Sequence, residues 1–356
     1  MQRLWSAMKR KRVTINDVAA KAGVSRQTVS RVLNDEGVVA EATRTRVLAA
    51  INDLGYRPSA IARSLVSQRT YSLAVLTADF NDYTHARIIE GAEAEAREHG
   101  YLIFVSGAEH SPDGEPLCCS PILSQHHAEG LFIVYHGTDN DSHEIFEHVP
   151  VDLPIVTIGY APNRANIVTV GVANYQGAYQ ATQHLLGLGH RRIAHITGPM
   201  QMYASQERRC GYAAALQEAG CIPEDTWVVS GDWSSSGGYQ ATLELLDRDT
   251  GFTALFVQND RMALGALQAL REHGLLVPQD VAVVGFDNIP STPYFDPPLT
   301  TLHQPNYELG RTGARLLIDL IDGKPAPSAP IRLETELVIR RSCGAQSAPD
   351  MEQKAS

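Results

Sequence analysis

The chain has 356 residues, of which 44% are hydrophobic, and a formal net charge of −10 at pH 7. This length suits two or three domains with apolar cores, and no apolar run approaches the ~18 residues that a membrane span needs. The charge is uneven: residues 1–69 carry 13 Lys and Arg against 5 Asp and Glu, and the remaining residues carry 17 against 35. A basic N-terminal segment on an acidic chain predicts that this segment alone binds a polyanion.

The sequence also indicates where the protein is located and whether its cysteines form disulfides. The basic residues near the N-terminus are followed by no apolar stretch, so we expect no signal peptide and a cytoplasmic location. The five cysteines are irregularly spaced and form no CxxC pair, which predicts free thiols and neither a disulfide framework nor a zinc site. They are Cys118, Cys119, Cys210, Cys221 and Cys343.

Residues 14–33 have the pattern of two short helices joined by a tight turn. Thr14 and Asp17 have the spacing of a capping box, so the first helix begins there. Gly23 is suited to the turn because it tolerates a positive φ, and Ser25 can cap the second helix. The apolar positions fall on one face of each helix. They are Ile15, Val18, Ala19 and Ala22, then Val29, Val32 and Leu33.

The outer face of the second helix carries Arg26, Gln27, Ser30 and Arg31. A short helix with long hydrogen-bonding side chains near its N-terminus fits the major groove of B-DNA, where Arg and Gln read guanine and adenine. The segment is therefore predicted to be a helix-turn-helix that contacts base edges. The alternative is an ordinary helical hairpin whose arginines are solvated.

A third helix is predicted over Thr43–Leu54, with Val47, Leu48, Ile51 and Leu54 facing inward and Gly55 as its stop. The stretch that follows can begin a helix at Pro58, but it is too short to be stable alone. A helix that forms only against a partner and a flexible linker both remain open.

Beyond Arg69, short apolar runs alternate with helical patterns. The runs are Ser72–Thr77, Leu102–Val105, Leu131–Tyr135, Ile155–Ile158, Ile193–Thr197, Trp227–Ser230, Ala254–Val257 and Val281–Gly285. The helical patterns are Ile88–His99, Tyr175–Leu188, Arg208–Ala219, Gly238–Leu246, Met262–His273 and Tyr307–Ile321. This alternation predicts an α/β fold with parallel sheets covered on both faces. The number of strands favours two sheets, with a single barrel as the alternative.

Ordered motifs add a specific resemblance. Between Val13 and Arg341 the chain is similar to the LacI/GalR family of bacterial transcriptional regulators. The motifs are the helix-turn-helix, Tyr56–Leu65, Gly189–Ala194, Arg208–Tyr212, Gly231–Ser234, Gln258–Gly265, Val283–Asp287 and Pro297–Leu302. The resemblance implies an all-α DNA-binding head and hinge helix, followed by a periplasmic-binding-protein-like body of two α/β subdomains with parallel sheets.

The family's boundaries divide the chain as follows. The resemblance implies a helix-turn-helix domain over residues 13–58, a hinge helix and linker over 59–70, and an effector-binding and dimerisation domain over 71–343. An N-subdomain would comprise residues 71–171 and 306–333, a C-subdomain 172–305 and 334–343, and residues 344–356 a polar tail. The chain would cross between the subdomains three times. Tetrameric members of the family end in apolar heptads that join two dimers. The tail of this chain has no such heptads, so a homodimer is expected.

Candidate effector residues lie near strand ends. Asn259 and Asp260 follow one apolar run, Asp287 follows a second and Trp233 a third, and Arg208 is expected to open a helix. A carboxylate, an amide and a guanidinium can bind vicinal hydroxyls of a sugar while an indole stacks on its ring. Each residue could instead be structural, as a helix or turn cap or as half-buried core.

The family resemblance extends this set. Position for position, it matches Arg208, Trp233, Asn259, Asp287 and Gln304 to the ligand contacts of a sugar-binding member. Gly159 departs from that member, which has Asp at this place, and Asp79–His85 has no close match. The identity of the sugar therefore stays open, and a purine corepressor remains the alternative.

The resemblance also assigns DNA contacts outside the recognition helix. Ala62 and Leu65 of the hinge helix would enter the minor groove, and Thr14, Arg57 and Arg63 would contact the DNA backbone. A dimer of such heads implies a pseudo-palindromic operator in double-stranded DNA.

Rival classes of function lack their signatures. The chain has no GxSxG, Walker or GxGxxG motif. His143 and His148 are five residues apart, about 500° of helical rotation, so they cannot share one zinc ion on a regular helix. We therefore expect that the protein is not an enzyme and has neither catalytic residues nor a metal site. We also expect it to use no cofactor, only a small-molecule effector. A periplasmic sugar carrier would need an export signal and no DNA head. The sequence thus predicts a nucleoid-associated repressor controlled by an effector, most simply a sugar inducer.

Overall fold

The computed structural model describes residues 13–33, 37, 39–56, 69–77, 79–107, 128–134, 149–159, 166–248 and 251–345. The chain divides into an N-terminal unit, Met1–Thr70, and a C-terminal unit, Tyr71–Ser356. The predicted hinge residues Ala62 and Leu65 lie outside the described ranges, as do Arg57 and Arg63. Within the described ranges no helix is long and apolar enough to cross a membrane.

The N-terminal unit contains helices α1 (Ile15–Ala22), α2 (Arg26–Leu33) and α3 (Glu41–Leu54). The predicted capping box is present, because the Thr14 hydroxyl accepts from the Asp17 amide while the Asp17 side chain accepts from the Thr14 amide. Gly23 has a φ of 65°, as the turn requires, and Ser25 accepts from the Thr28 amide at 3.1 Å. The predicted helix-turn-helix is confirmed.

One inward position on α3 was wrongly predicted. Leu48 is 50% exposed, whereas Ala50 is buried beside Val47. The inward face follows positions 47, 50, 51 and 54, which share one side at 100° per residue. Leu48 is rotated about 100° from Val47 and therefore falls outside the core that Val47, Ala50, Ile51 and Leu54 share with the other two helices.

The C-terminal unit contains two open six-stranded sheets. The first sheet holds β1 (Ser72–Thr77), β2 (Leu102–Gly107), β3 (Gly130–Val134), β4 (Ile155–Ile158), β5 (Ile167–Val172) and β11 (Ile331–Leu333). Its order is β11-β5-β4-β3-β1-β2, and every pairing is parallel. Strands β1, β3 and β4 are buried along their whole length and read as near-continuous apolar runs.

The second sheet holds β6 (Ile193–Thr197), β7 (Val228–Ser230), β8 (Ala254–Val257), β9 (Ala282–Asp287), β10 (Thr300–His303) and β12 (Glu336–Val338). Its order is β12-β10-β9-β8-β6-β7. Only the edge pair β10–β12 is antiparallel. Two separate open sheets exclude the alternative of a single barrel.

Six helices of this unit pack in three pairs. They are α4 (Tyr83–Glu98) with α9 (Asn306–Ile321), α5 (Asn174–Gly187) with α6 (Tyr203–Glu218), and α7 (Ser235–Asp247) with α8 (Asp260–Glu272). Glycines permit the close approach: a Cβ at Gly91 would lie 1.9 Å from the Tyr307 carbonyl oxygen, and one at Gly310 would lie 1.9 Å from that of Ile88.

The chain passes between the two sheets three times. It leaves the first sheet after β5, returns after β10 into α9, and leaves again between β11 and β12. These crossings bring the carboxyl ends of strands from both sheets to one cleft, which is where open parallel sheets bind ligands. The predicted two-layer α/β body of periplasmic-binding-protein type is confirmed.

Candidate functional site

The N-terminal unit presents the predicted base-reading residues on one surface. Arg26, Gln27 and Arg31 are exposed on α2, and Ser30 is partly exposed, while the opposite face of α2 is buried. Thr14 is also exposed, although its hydroxyl already donates to the Asp17 carboxylate at 2.7 Å. The surface of α2 therefore offers two guanidinium groups and an amide to a ligand.

A cavity of about 370 Å³ lies in the cleft of the C-terminal unit. We call it the cleft cavity. It is lined by all five predicted effector residues, namely Arg208, Trp233, Asn259, Asp287 and Gln304, and also by Asp79, Asp82, Thr84, His85, Met202, Ala204, Asp232, Ser234 and Arg261. The structure thus brings the predicted residues together, and it adds a wall from the segment Asp79–His85, in which the sequence matched no individual ligand contact.

Arg208 is a buried guanidinium held on two of its three nitrogens. Its Nε donates to Asn174 Oδ1 at 2.8 Å and its Nη1 donates to the Gln258 carbonyl, while the guanidinium lies 3.7 Å from the ring centroid of Phe286. Burial lowers the pKa of Arg208 to about 10, against the opposing charges of Asp287 and Asp260, so the group stays charged at neutral pH. Nη2 forms no hydrogen bond with another described residue, and it is available to a ligand.

The position of Arg208 in its helix differs from the prediction. It does not open α6 but lies in the second turn, because α6 already begins at Tyr203. The first turn consists of polar and small residues, which gave the sequence no apolar periodicity from which to recognise it.

Asp287 ends β9 in an unusual conformation, with a φ of 120°. Its Oδ1 accepts from Gln304 Nε2, and Oδ2 has no hydrogen-bond partner among the described residues. Burial and then the neighbouring Asp260 carboxylate raise the pKa of Asp287 well above its ordinary value, while Arg208 opposes this shift. Strained backbone and a costly buried charge at one residue are typical of a ligand site.

Asp260, which the sequence placed beside Asn259 as a candidate at a strand end, does not line the cleft cavity but holds the loop after Asp287. Its carboxylate accepts from Thr301 Oγ1 at 2.6 Å and from the Ile289 amide at 3.0 Å. Burial raises the pKa of Asp260 to about 7, although these hydrogen bonds and the charge of Arg340 act against the rise. A second buried carboxylate therefore holds the main chain two residues after Asp287.

Trp233 and Asn259 are joined by a hydrogen bond at the same second-sheet wall of the cavity. Trp233 is partly exposed, has a φ of 70°, and its ring lies so close to Gly198 that a Cβ there would be 2.1 Å from the indole. Asn259 Nδ2 donates to the Trp233 carbonyl at 3.0 Å, and its Oδ1 accepts from the Met262 amide as the N-cap of α8. Asn259 is thus a helix cap, as the alternative interpretation held, and it also lines the cleft cavity.

The first-sheet wall is built around the start of α4. Asp82 Oδ1 caps this helix by accepting from the amides of Thr84 and His85 at 2.8 and 3.2 Å. Burial would raise its pKa, but the charge of His85 and these hydrogen bonds hold the pKa below its ordinary value. The sequence signal that could have located this wall is the Asp cap directly before a helix.

One ion pair joins the two walls across the cavity. Arg261 Nη1 lies 3.7 Å from Asp82 Oδ2. Arg261 is in the first turn of α8, where the helix dipole disfavours a cation, so its placement is explained by the carboxylate opposite. Among the described residues, the lining carries four carboxylates and two guanidinium groups. Among the described residues no cluster of His, Cys, Asp and Glu could hold a metal ion.

Comparison with known proteins agrees with this architecture. Residues 14–59 match the family described as "Bacterial regulatory proteins, lacI family", and residues 182–343 match the "Periplasmic binding protein-like domain". The HTH-type transcriptional repressor PurR of Klebsiella pneumoniae is 36% identical over 333 residues, which cover 92% of this chain and 96% of that repressor. The PurR of Salmonella dublin is 37% identical over the same length.

Solved structures give the same result. A complex of the transcriptional regulator CelR with cellobiose has 36% identity and a TM-score of 0.69, covering 93% of this chain and 100% of that one. The lac repressor dimer bound to operator and the anti-inducer ONPF has 31% identity and a TM-score of 0.82, covering 94% and 100%. With these relatives, its helix-turn-helix and its two-sheet body, the chain belongs to the LacI family of bacterial regulatory proteins.

Proposed function

We propose that a neutral sugar, bound in the cleft cavity, controls the operator affinity of this DNA-binding repressor. The observation that carries the proposal is that Arg208 and Asp287 line the cleft cavity together with Trp233, and that one guanidinium nitrogen and one carboxylate oxygen of these two residues have no hydrogen-bond partner among the described residues. A donor and an acceptor beside an aromatic face suit the hydroxyls and the apolar face of a sugar ring.

Charge supports a neutral effector. The cleft cavity is lined by four carboxylates, from Asp79, Asp82, Asp232 and Asp287, against the guanidinium groups of Arg208 and Arg261. An anionic ligand such as a sugar phosphate would meet a net negative lining in a partly desolvated site, where electrostatic repulsion is strong.

A purine corepressor is the second candidate, and the PurR relatives favour it. The cellobiose complex of CelR, with a similar identity and coverage, favours the sugar. The two candidates differ in sign as well as chemistry, because an inducer stabilises the DNA-incompetent state and a corepressor stabilises the competent one.

In this proposal the head reads its operator as follows. Arg26, Gln27, Ser30 and Arg31 contact base edges in the major groove, and Thr14 with Arg57 and Arg63 contacts the DNA backbone. Residues 59–70 form the hinge, with Ala62 and Leu65 in the minor groove. The hinge couples the head to residues 71–343, so a sugar that changes the spacing of the two N-subdomains in a dimer (residues 71–171 and 306–333 of each) releases the DNA.

A homodimer in the cytoplasm completes the proposal. Phe80 and Val105 are exposed around an open apolar depression beside α4, and Leu102 on edge strand β2 is exposed as well. A strand at the edge of the sheet and an apolar face fit a second copy of the chain. No catalytic step and no cofactor are required.

One titration tests the proposal. An operator is first selected from random duplex DNA, and the bound full-length protein is then titrated with D-glucose, D-galactose, cellobiose, guanine and hypoxanthine while fluorescence anisotropy reports binding. We expect a sugar to release the DNA and the purine bases to have no effect. Tighter operator binding with a purine base would overturn the sugar proposal and establish the second candidate.

A further inference from the structure

A buried histidine–glutamine pair lies beneath the cleft cavity, inside the second sheet. His195 on β6 is fully buried, and its ring is stacked 4.5 Å from the Tyr212 ring and 4.8 Å from the Phe256 ring, centroid to centroid. Gln258 directly follows β8 and is also fully buried. Neither side chain lines the cleft cavity.

The main chain determines how the pair is hydrogen-bonded. The Gly198 amide donates to Gln258 Oε1 at 2.9 Å, and Gln258 Nε2 donates to the Ser205 carbonyl at 3.1 Å. An amide N–H only donates and a carbonyl only accepts, so these two contacts set the orientation of the Gln258 side chain. Its remaining N–H donates to His195 Nε2 at 3.0 Å, and His195 Nδ1 donates to the Phe256 carbonyl at 3.0 Å.

The histidine is neutral in this arrangement. Burial lowers the pKa of His195 to about 3, and the charges of Arg209 and Arg208 act in the same direction. Every polar atom of the pair has a partner, and such a fully satisfied network makes a core rigid and unique. An apolar pair of similar shape would fill the same space without the cost of burying polar groups. The pair is therefore better explained by the orientation that it gives to neighbouring segments than by a contribution to the stability of the fold.

The segments that Gln258 joins are the ones that carry the effector residues. Its main-chain oxygen accepts from Arg208 Nη1. Its side chain holds Gly198, on which the Trp233 indole lies, and Ser205, which is one turn before Arg208 on α6. One residue thus connects the end of β6, the start of α6 and the end of β8.

We propose that Gln258 is a positioning residue for the effector, with His195 orienting its amide, and that it sets the Arg208 guanidinium and the Trp233 ring in the cleft cavity. This inference rests on the proposed function, since it assigns those two groups to effector binding. Gln258 itself touches no ligand, and it acts through the segments that it holds.

The test measures the accessibility of Trp233 without any effector. In the full-length protein, Trp5 and Trp227 are replaced by Phe, which leaves Trp233 as the only tryptophan, and acrylamide quenching of its emission is recorded. Gln258→Met keeps the approximate shape but removes the side-chain hydrogen bonds. We expect the quenching constant to rise about twofold or more and the emission to shift to longer wavelength.

Two further variants separate positioning from stability. Thr242→Val removes a buried hydroxyl that donates to the Gly238 carbonyl at 2.8 Å within α7, so it should lower the melting temperature while Trp233 quenching stays unchanged. His195→Phe keeps the aromatic stack but removes one acceptor from Gln258, and we expect a smaller rise in quenching than for Gln258→Met.

Unchanged quenching in Gln258→Met, with a loss of stability like that of Thr242→Val, would overturn the inference and make the pair ordinary core. If Gln258→Met does not fold, His195→Phe decides by the same criterion. Because no effector is present, the result is independent of whether a sugar binds. A failure of every sugar to bind would instead count against the proposed function.

Discussion

Asp287→Asn separates effector binding from folding, because it replaces a buried carboxylate by an amide of nearly the same size. Burial and the Asp260 carboxylate raise the pKa of Asp287, so the native state binds this proton more tightly than the unfolded chain does. The free energy of unfolding therefore falls as pH rises from the ordinary pKa to the native one, by about 1.4 kcal/mol for each unit of the shift. The amide avoids this cost, and the variant should melt at a higher temperature than the native protein at pH 7.

The same substitution should lower the affinity for the effector. Asp287 Oδ2 has no hydrogen-bond partner among the described residues. In the variant an amide nitrogen can take the place of Oδ2, and this nitrogen cannot accept a hydrogen bond from a sugar hydroxyl. A hydrogen bond to a charged group contributes about 1.5–3 kcal/mol, which corresponds to a tenfold or greater loss of affinity. Operator affinity without effector should be retained, since Asp287 and the DNA-reading helix belong to different units.

Three measurements on the purified full-length protein check this prediction: melting temperature at pH 7, effector affinity by calorimetry, and operator affinity by fluorescence anisotropy. We expect a higher melting temperature, a weaker effector affinity and an unchanged operator affinity. An unchanged effector affinity together with a lower melting temperature and weaker operator binding would show that Asp287 is a structural residue, and the assignment of the cleft cavity would be refuted.

Three other changes probe the head, the buried carboxylate and the cleft in turn. Arg26→Ala and Gln27→Ala should each cost about 1–3 kcal/mol at one base pair and leave affinity for random DNA largely intact; equal losses on both would indicate phosphate contacts. Because the pKa of Asp260 is raised to about 7, the free energy of unfolding should fall from pH 4 to pH 7, and Asp260→Asn should flatten this dependence in denaturant titrations; an unaltered slope would show that the buried Asp260 carboxylate does not cause it. Arg261→Gln removes a partly exposed ion pair between the two walls, worth about 1 kcal/mol, so effector dissociation should accelerate up to about fivefold in stopped-flow measurements; an unaffected rate would show that this pair does not slow effector release.

Local rules predicted much of the architecture. Four strands, Ser72–Thr77, Ile155–Ile158, Ile193–Thr197 and Ala254–Val257, have the predicted bounds because they are buried apolar runs between turn residues. The turn of the helix-turn-helix was predicted equally well, since a capping residue and a glycine with positive φ are both local requirements.

The last two strands at one end of each sheet, β11 with β5 and β12 with β10, could not be predicted in this way. β11 and β12 are only three residues each, and Ile331–Leu333 pairs with a strand more than 150 residues earlier in the chain. β5 is interrupted by Gly171, and Thr300–His303 begins with two polar residues. Such segments become strands because a partner strand is adjacent in space, which the local pattern does not contain.

The residues of the candidate site likewise fall into those that a local pattern predicts and those that depend on contacts between distant segments. Asp287, Asn259 and Trp233 could be predicted because each lies at or just after the end of a recognisable strand. Asp82 and Arg261 belong to different sheets and meet only when the cleft forms, so neither segment identifies the other. Asp260 and Gln258 act from behind the cavity through buried hydrogen bonds, and a single sequence gives no sign of those partners.

Coupling between effector and operator tests the central claim most directly, because it can be measured from both sides. The affinity of the effector is determined for the free full-length protein and for the operator complex, and the affinity of the operator is determined with and without saturating effector. Thermodynamic linkage requires the same factor in both experiments, and allosteric proteins typically give about 5–150-fold. We predict equal factors in this range, with a sugar weakening operator binding. An effector that binds equally well to the free protein and to the operator complex would contradict the claim that the cleft cavity controls DNA binding.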